Sequence, residues 1–502
     1  MPRKNEESEE SEEIKSVVNF GDFRKVNAPV SFKKGTVVAI YYSLPSNQNG
    51  GGSSGTNVIT QKVIPFGKDE MRVYVSPFAL KRRIRDYWIR LNDEKVKVYL
   101  RESREVLERE KSTGSEKDNN KQQNSSASQN GASMGTQLQK NGNNTDNKNN
   151  LSNLIEEYID IDLFGYMKAE SRKAPALTRP GPITTWGAIS LEPFVAFVDF
   201  NTSVESTTGS SEGGSIINRY ISTNFYFTSF FINTDLISID MSDVEKKASN
   251  KMEDKFKDEE RDKILNKRKE RLKYFFEGVK YAMQKEVGGP RDRPECVFLA
   301  VEVTENHYGH FDKWILKNAK IVDVNSEKQD NNKEDANRED IKVKIDFSNL
   351  NKSEHGDIYI LVCDENYVKL SCGNNELDRE KLINCNENGN QSSNANKWPK
   401  FADIKTVVDF LVGKIEITKD ELALIKKLIN MKPTERTVSD IEKMLNDNEK
   451  ETLKELIKEG FVIRFKKANE DEEHYTIPEA VYKAINKEEY KLLDNKNNGE
   501  SV

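Results

Sequence analysis

The sequence lacks the short motifs that mark several large classes of enzyme. It contains no GxxxxGK[ST] run for a nucleotide phosphate and no HExxH run for catalytic zinc. No apolar run approaches the roughly 20 residues of a membrane-spanning helix. Histidine is also scarce, with only 4 in 502 residues. These absences direct attention to binding surfaces.

Cysteine is equally scarce, and its spacing predicts neither a zinc site nor a disulfide framework. The chain holds Cys296, Cys363, Cys372 and Cys385, and none of them forms a CxxC pair. The last three could be grouped with His355, but they are widely spaced in a polar, asparagine-rich stretch. We therefore expect reduced thiols, no metal and no cofactor. The N-terminus has no apolar segment typical of a secretion signal, so we expect a soluble, cytoplasmic protein.

Composition indicates that part of the chain has no hydrophobic core. Only 35% of the residues are hydrophobic and 32% are charged, which is unusually polar for a folded chain. The net charge is -6, so the composition as a whole does not predict nucleic-acid binding. A surface for RNA or DNA would have to be local.

Shifts in composition divide the chain into two folded units flanked by polar tails. The predicted units are a disordered acidic tail at 1–14, a large domain at 15–398, a helical domain at 401–492 and a disordered tail at 493–502. The stretch 112–150 is dominated by Asn, Gln, Ser, Gly and Lys, so we predict a disordered insertion there. Smaller polar inserts are predicted at 202–215, 325–340 and 386–397.

The large domain is predicted to be α+β, with an open antiparallel sheet and helices on one face. Runs such as GTVVAIYY, ending at Tyr42, and STNFYFTSFFI, ending at Ile232, are typical of buried strands. One long helix is predicted from Val244 to Gly289. Its charged first half is expected in solvent, and its second half carries apolar residues at helical spacing.

The C-terminal domain is predicted to be winged-helix-like. Short amphipathic helices precede a strand–turn–strand pattern with its turn at Ala468–Glu472. The helix at the position expected to read DNA, EKETLKELIKEG, carries acids and bases in near balance, whereas such helices are usually basic. Protein contact or simple packing is therefore favoured over DNA reading.

A cluster of cations lies on a helix predicted over FALKRRIRDYWIRLN, Phe78 to Asn92. Ser76 can cap this helix, and Arg85 lies three residues from Arg82 and four from Lys81, so the three are neighbours on its surface. A capped N-terminus beside a basic first turn favours an anion such as phosphate. An ordinary solvated basic face is the alternative.

The run DIDLFGYM places two acids close together. On a strand, Asp160 and Asp162 would point the same way and could bind a metal or act as acid and base. Because no histidine or third acid accompanies them, we favour a structural role, in which each accepts hydrogen bonds from a turn or pairs with an arginine. Gly165 permits a left-handed or closely approached backbone. Its neighbours Phe164 and Tyr166 offer stacking faces or core packing.

Two further segments carry cations in stiff loops or turns, which can hold a phosphate backbone. The first, KAESRKAPALTRPGP, contains Arg172, Lys173 and Arg179. The second, GGPRDRPECVFLA, contains Arg291 and Arg293 in a glycine–proline turn, where backbone N–H groups also attract anions. Solvated loops are the alternative.

These motifs in this order resemble the DevR-like branch of the CRISPR Cascade backbone subunits of type I systems, with subtype I-B the nearest. The resemblance lies in SNQNGGG, YVSPFALKRRIRDYW, DIDLFGYM, GPITTWGAISLEPF, a phenylalanine-rich strand and a helix that ends in GG before RP. These motifs are scattered over residues 17–300, and the insertion at 112–150 and the segment after 401 fall outside the pattern.

The resemblance implies an RNA-recognition-motif-like (ferredoxin-like) fold with large insertions, and an antiviral protein that polymerises along CRISPR guide RNA through phosphate contacts. It implies partnership with target DNA, further copies of the chain and other Cascade subunits. The implied RNA-binding residues are Ser76, Lys81, Arg82, Arg85, Arg172, Lys173, Arg179, Arg291 and Arg293. A thumb-like hairpin is expected between Asp199 and Asn218.

Two other functions remain open at this point. A metal-dependent ribonuclease of a type III-like effector would use Asp160 and Asp162. However, type III relatives cleave RNA with an aspartate in an early loop, and the matching loop here, 46–57, contains no acid. We therefore expect no enzymatic activity. A transcription regulator would bind DNA through the C-terminal domain.

Overall fold

The computed structural model describes most of the chain, in segments separated by stretches whose placement is not described. The described residues are 20–43, 50–52, 59–100, 151–168, 177–194, 197–203, 215–221, 225–249, 255–283, 294–323, 341–350, 354–372, 375–376, 382–383, 399–431, 436–466, 473–486 and 490–493. Most of the predicted polar tails and inserts lie outside them.

The strands and helices of the described residues are numbered in chain order. The strands are β1 (Lys33–Tyr42), β2 (Gly50–Gly52), β3 (Ile59–Gln61), β4 (Val63–Phe66), β5 (Glu70–Val75), β6 (Gly165–Lys168), β7 (Leu177–Pro180), β8 (Ile183–Ser190), β9 (Phe197–Ser203), β10 (Ser215–Ile221), β11 (Phe225–Asn233), β12 (Glu295–Glu305), β13 (Ala319–Asp323), β14 (Ile341–Asp346), β15 (Asp357–Cys363), β16 (Val368–Cys372), β17 (Asn375–Glu376), β18 (Leu382–Ile383), β19 (Lys400–Phe401), β20 (Ile415–Thr418), β21 (Ile463–Lys466), β22 (Glu473–Thr476) and β23 (Tyr490–Leu493). The helices are α1 (Phe20–Lys25), α2 (Pro77–Leu91), α3 (Leu151–Glu157), α4 (Ile159–Phe164), α5 (Met241–Ser249), α6 (Asp258–Lys280), α7 (Phe311–Asn318), α8 (Ile404–Val412), α9 (Lys419–Asn430), α10 (Val438–Met444), α11 (Asp447–Glu459) and α12 (Glu479–Asn486).

An eight-stranded sheet organises the α+β fold, in the order β19-β15-β12-β1-β11-β8-β5-β4. All neighbouring strands are antiparallel except the short pair β15 and β19. Within it, β1, β8, β11 and β12 occur in the chain as β1–α2–β8–β11–α6–β12 and lie in the order β12-β1-β11-β8. This is the β-α-β-β-α-β arrangement, elaborated by insertions.

Both faces of the sheet are buried, which explains why its strands read as continuous apolar runs. In β1, Val37 and Ala39 face one hydrophobic core, while Val38 and Ile40 face the other. The alternation follows from the two-residue period of a strand. The first core contains residues of α2, α6 and α8, and the second contains residues of α7 and the small sheet β13-β14-β16-β17.

Two differences from the sequence prediction concern this architecture. The prediction of helices over one face only was incomplete, because α7 and the small sheet cover the other face. The prediction of one long helix from Val244 was wrong. Helix α5 ends at Ser249, residues 255–257 are non-helical, and α6 begins at Asp258, where Glu260 Oε2 accepts a hydrogen bond of 3.2 Å from the backbone N–H of Lys257. None of the helices in the described segments combines the length and hydropathy that crossing a membrane requires.

The segment after residue 399 packs against the large domain. Strand β19 pairs with β15, and the ring of Phe410 in α8 lies 5.0 Å from that of Tyr359. An ion pair of 2.7 Å joins Lys269 Nζ on α6 to Asp409 Oδ1 on α8. The contacts of α8 therefore attach the following helices to the sheet.

Helices α2 and α6 pack closely because glycine lies at their contact. A Cβ atom on Gly278 would be 2.8 Å from Ile84 Cγ2 and 3.1 Å from Trp88 Nε1. Trp88 is fully buried, and its Nε1 donates a hydrogen bond of 2.9 Å to the carbonyl oxygen of Tyr274. Neither partner can move freely, so the position requires glycine.

We expect Gly278→Ala to lower the free energy of unfolding by about 1–3 kcal/mol, because overpacking outweighs the gain of about 1 kcal/mol in helix propensity. Chemical denaturation of the full chain measures this change. Asn266→Ala is the matched control, since Asn266 is exposed on the same helix. Stabilisation by both substitutions would show that α2 and α6 are not in close contact.

Candidate nucleic-acid interface

Helix α2 presents the cations that the sequence singled out. Ser76 caps it as predicted, with Oγ accepting a hydrogen bond of 3.3 Å from the backbone N–H of Ala79. Pro77 occupies the first turn, and Asn92 ends the helix in the left-handed conformation. Leu80, Ile84 and Trp88 face the core, so the opposite side is left for polar residues.

Lys81 and Arg85 lie over one aromatic ring. Lys81 Nζ is 5.1 Å from the centroid of the Phe164 ring, and Arg85 Cζ is 5.2 Å from it. Phe164 in turn stacks on Trp88, with ring centroids 5.3 Å apart. This stack fixes both cations on one face of the helix, as their spacing predicts.

The two cations differ in how their charge is compensated. Arg85 Nε donates a hydrogen bond of 3.1 Å to Oδ2 of buried Asp160, which also accepts from the N–H of Tyr99. Lys81 is half-buried and has no carboxylate ion-pair partner within the described part of the chain. Burial, with a smaller contribution from Arg85, lowers the pKa of Lys81 to about 8.

Arg82 lies on the solvent side of the same helix. Its Nε donates to Oδ1 of Asp86 at 2.7 Å, and both side chains are about half exposed, at 51% and 41%. Such an exposed pair contributes only about 0.3–0.5 kcal/mol, so a phosphate can displace the carboxylate at little cost. Lys81 and Arg82 are therefore the cations of this face that an anion can reach.

Asp162 holds the opposite side of helix α4 in the interior. Its Oδ1 accepts from Arg179 Nη2 at 2.9 Å and from the N–H of Ser238 at 2.8 Å. Arg271 Nε lies 3.7 Å from Oδ2. Asp162 is fully buried. Both aspartates of DIDL thus have the structural, arginine-paired role that the sequence favoured.

DIDL forms a helical turn, so its two acids do not share the orientation that a strand would give them. On a helix, residues two apart point in different directions, so Asp160 meets Arg85 while Asp162 meets Arg179 and Arg271. Gly165 ends the turn at φ 83°, where its backbone closely approaches Gly181. The sequence predicted this freedom at Gly165.

Arg179, which the family resemblance placed on RNA, is buried in this structure. Besides Asp162, its guanidinium donates to the carbonyl oxygens of Leu236 and Ile239, each at 2.7 Å. Arg268 donates to the carbonyls of Asp235 and Ile237 in the same loop, and to the carbonyl of Pro29 in the segment before β1. Burial lowers the pKa of Arg268 to about 10. The sequence analysis missed Arg268 and Arg271, because a cation-rich helix is usually solvated.

The remaining predicted cations lie outside the described residues. They are Arg172, Lys173, Arg291 and Arg293. The chain leaves the described part at Lys168 of β6, four residues beyond Phe164, and returns at Leu177 of β7. Lys168 and Leu177 lie opposite each other in the pairing of these two strands.

A β-ribbon occupies the region where a thumb-like hairpin was expected. Strands β9 and β10 pair antiparallel, with Ser203 opposite Ser215 and Phe197 opposite Ile221. In the chain, the ribbon connects β8 to β11, which are neighbours in the large sheet, but the ribbon itself is not part of that sheet. Strand β10 contacts β3, which belongs to the second ribbon, β2–β3.

Two of the side chains considered as metal ligands, His355 and Cys372, have other partners. His355 Nδ1 is 2.9 Å from Oε1 of buried Glu302. Cys372 is disulfide-bonded, so the expectation of reduced thiols was wrong there, whereas Cys296 is a free thiol whose burial raises its pKa to about 12. No group of three metal-binding side chains occurs among the described residues, and Cys385 lies outside them.

The C-terminal helices differ from a typical DNA-reading surface. Three helices, α9 to α11, are followed by the hairpin β21–β22, whose turn lies outside the described residues. Thr437 forms an isolated bridge to His474 of this hairpin. Helix α11 carries five acidic and three basic residues, so it would repel a phosphate backbone.

We expect Asp162→Ala to lower the free energy of unfolding by about 3–5 kcal/mol, because it leaves buried arginines without their carboxylate. Thermal and chemical denaturation measure the loss. Asp86→Ala, which removes an exposed carboxylate, is the control and should change stability by about 0.5 kcal/mol or less. An Asp162→Ala protein of unchanged stability that has lost an RNA-cleaving activity would contradict the structural role.

Comparison with known proteins gives one match to a family. The sequence model of the family described as CRISPR-associated protein Cas7 matches residues 66–346. No curated protein sequence matches the chain significantly.

Similar solved structures are described as "CRISPR RNA-guided surveillance complex, pre-nicking" and "CRISPR RNA-guided surveillance complex". Identities are 15% and 13%, and TM-scores of 0.33 and 0.27 indicate only distant similarity. Both matches cover 53% of this chain, and 77% and 68% of the respective solved chains. The family match, by contrast, spans more than half of the sequence and includes α2, α4 and the ribbon. The chain therefore belongs to the CRISPR-associated protein Cas7 family.

Proposed function

We propose that this protein is a guide-RNA-binding backbone subunit of a type I CRISPR interference complex. The observation that carries the proposal is the cation pair Lys81 and Arg82, which lies on a capped, rigid helix within the family-matched range. Lys81 is held against Phe164 without a carboxylate partner in the described segments. An anion bound here would compensate the positive charge of Lys81, which no carboxylate of the described segments neutralises.

Phosphate is the anion that best fits this surface. Both side chains are cations on a fixed frame, and cations that meet the backbone bind it irrespective of base sequence. A subunit that repeats along guides of different sequence requires such contacts. Arg85 supports the site by its stack on Phe164, while Arg179 is left out of the proposed contact because it is buried.

The topology supports an RNA-recognition-motif-like core with insertions. The order β12-β1-β11-β8, with α2 and α6 against the same core, is that of the ferredoxin-like arrangement. On the opposite face, the central strands of this sheet pack against α7 and the small sheet, which disfavours RNA binding there. We therefore place the guide beside α2 and assign the β9–β10 ribbon as the thumb-like hairpin.

We also propose that the subunit is not an enzyme. Asp160 and Asp162, the acids of the ribonuclease alternative, are buried and engaged by arginines. A metal site would need both carboxylates to face a common point, whereas here they face different elements.

The remaining parts of the proposal rest on the resemblance of the sequence motifs. We propose a DevR-like, subtype I-B member that acts in the cytoplasm with further copies of itself, other Cascade subunits and target DNA. Residues 401–492 are proposed to be a winged-helix-like unit for protein contact. Its acidic α11 disfavours the DNA-regulator alternative.

The double variant Lys81→Ala/Arg82→Ala tests the proposed phosphate contact. We expect affinity for single-stranded RNA to fall on the order of 100-fold, because two charge-assisted contacts of about 1.5 kcal/mol each are lost. The slope of log affinity against log salt should become shallower by about 1.4. Arg85 is retained, since a change there would leave buried Asp160 unpaired.

Lys454→Ala/Lys458→Ala is the control, because it removes two exposed cations from helix α11. This variant should bind RNA with wild-type affinity and an unchanged salt slope. The reverse pattern, with RNA binding lost only in the α11 variant, would move the interface to the C-terminal unit.

RNA affinity should also fall as pH rises from 7 to 9. A bound phosphate raises the pKa of Lys81 above its free value of about 8, so the contribution is complete well below pH 8 and is lost progressively as pH rises from there through the higher pKa of the bound state. Filter binding at constant ionic strength measures this profile. Lys81→Arg should remove the dependence, because arginine stays charged. An identical pH profile for both proteins would contradict the assignment of Lys81.

A further inference from the structure

One exposed aromatic side chain on helix α2 has no role in the fold. Phe78 is 85% exposed, which is the largest value among the large hydrophobic side chains that are exposed in the described residues. Its position is fixed, because Pro77 precedes it in the first turn and Ser76 caps the helix. Single exposed apolar residues are common on protein surfaces, so exposure alone does not indicate a site.

The neighbours of Phe78 distinguish it from an ordinary exposed residue. It precedes Lys81 by three residues, Arg82 by four and Arg85 by seven, so all four lie on adjoining positions of one helix surface. One helical turn advances about 5.4 Å, and side chains lean toward the N-terminus. The ring therefore projects into solvent beyond the two accessible cations, at the start of the helix.

The chemistry of this surface favours one kind of occupant. An apolar pocket of a protein partner would have to desolvate Lys81 and Arg82 along with the ring, which is unfavourable unless acids meet them. Single-stranded nucleic acid presents a charged phosphate and a flat apolar base in each nucleotide. Cations beside an exposed aromatic ring match that combination.

We propose that Phe78 stacks against an unpaired base of the strand whose phosphates meet Lys81 and Arg82. The inference rests on the proposed RNA-binding function and adds to it a contact with the base plane. Stacking tolerates any base, since every base has a π-face. The contact would therefore fix the orientation of one nucleotide at each subunit without reading its identity.

The test uses the full-length protein freed of nucleic acid and a mixed-sequence single-stranded RNA oligonucleotide. Phe78→Ala should weaken binding by about 5- to 150-fold, the range measured for base–aromatic stacking. The salt slope should stay at the wild-type value, because no phosphate contact is removed. Phe78→Trp should bind as wild type. On the same oligonucleotide with abasic sites throughout, wild type and Phe78→Ala should bind equally.

Leu91→Ala is the matched control, since Leu91 is an exposed apolar residue at the far end of the same helix. It should bind RNA as wild type. Equal binding of intact RNA by Phe78→Ala and wild type would overturn the proposal while leaving the proposed function in place. An equal loss on abasic RNA, or a loss of self-association without RNA, would also overturn it. A wild-type protein that binds no RNA would contradict both the stacking proposal and the proposed function.

Discussion

The arrangement of the candidate interface depends on the pairing of two buried carboxylates in one helical turn. Asp160 and Asp162 draw arginines from three separate parts of the chain, Arg85 on α2, Arg179 on β7 and Arg271 on α6. Each ion is desolvated, so removal of one partner costs several kcal/mol even where the intact pair adds little. The turn is thereby locked, and with it Phe164, on which the accessible end of α2 rests.

The structure distinguishes buried cations from accessible ones, although the two kinds look alike in the sequence. Arg179 and Arg268 donate to carbonyl oxygens of the loop after β11 and hold it in the interior. Lys81 and Arg82 remain accessible at the surface, and burial, with a smaller contribution from Arg85, lowers the pKa of the lysine. The central strands of the sheet are buried on both faces. The geometry thus concentrates the described candidates for anion binding at one helix.

Much of this was predictable from local sequence, and the rest required tertiary contacts. Ser76 as a cap, the α2 cations and the conformation of Gly165 follow from rules that operate over a few residues. The conformation of DIDL was left open, because alternating acids and aliphatics fit a strand as well as one helical turn. Burial of Arg179 and Arg268 could not be foreseen, since their partners, Asp162 and the loop carbonyls, are set by the fold. Phe78 went unnoticed because exposure has no signature in sequence.

The central claim is that nucleic acid contacts the N-terminal half of α2. Ultraviolet crosslinking of the RNA that co-purifies with the native protein, followed by peptide mass spectrometry, tests it most directly. The account predicts crosslinked peptides that contain residues 76–85, attached to RNA whose sequences derive from CRISPR guides. Crosslinks confined to the segment after residue 415, or attached to DNA alone, would contradict it.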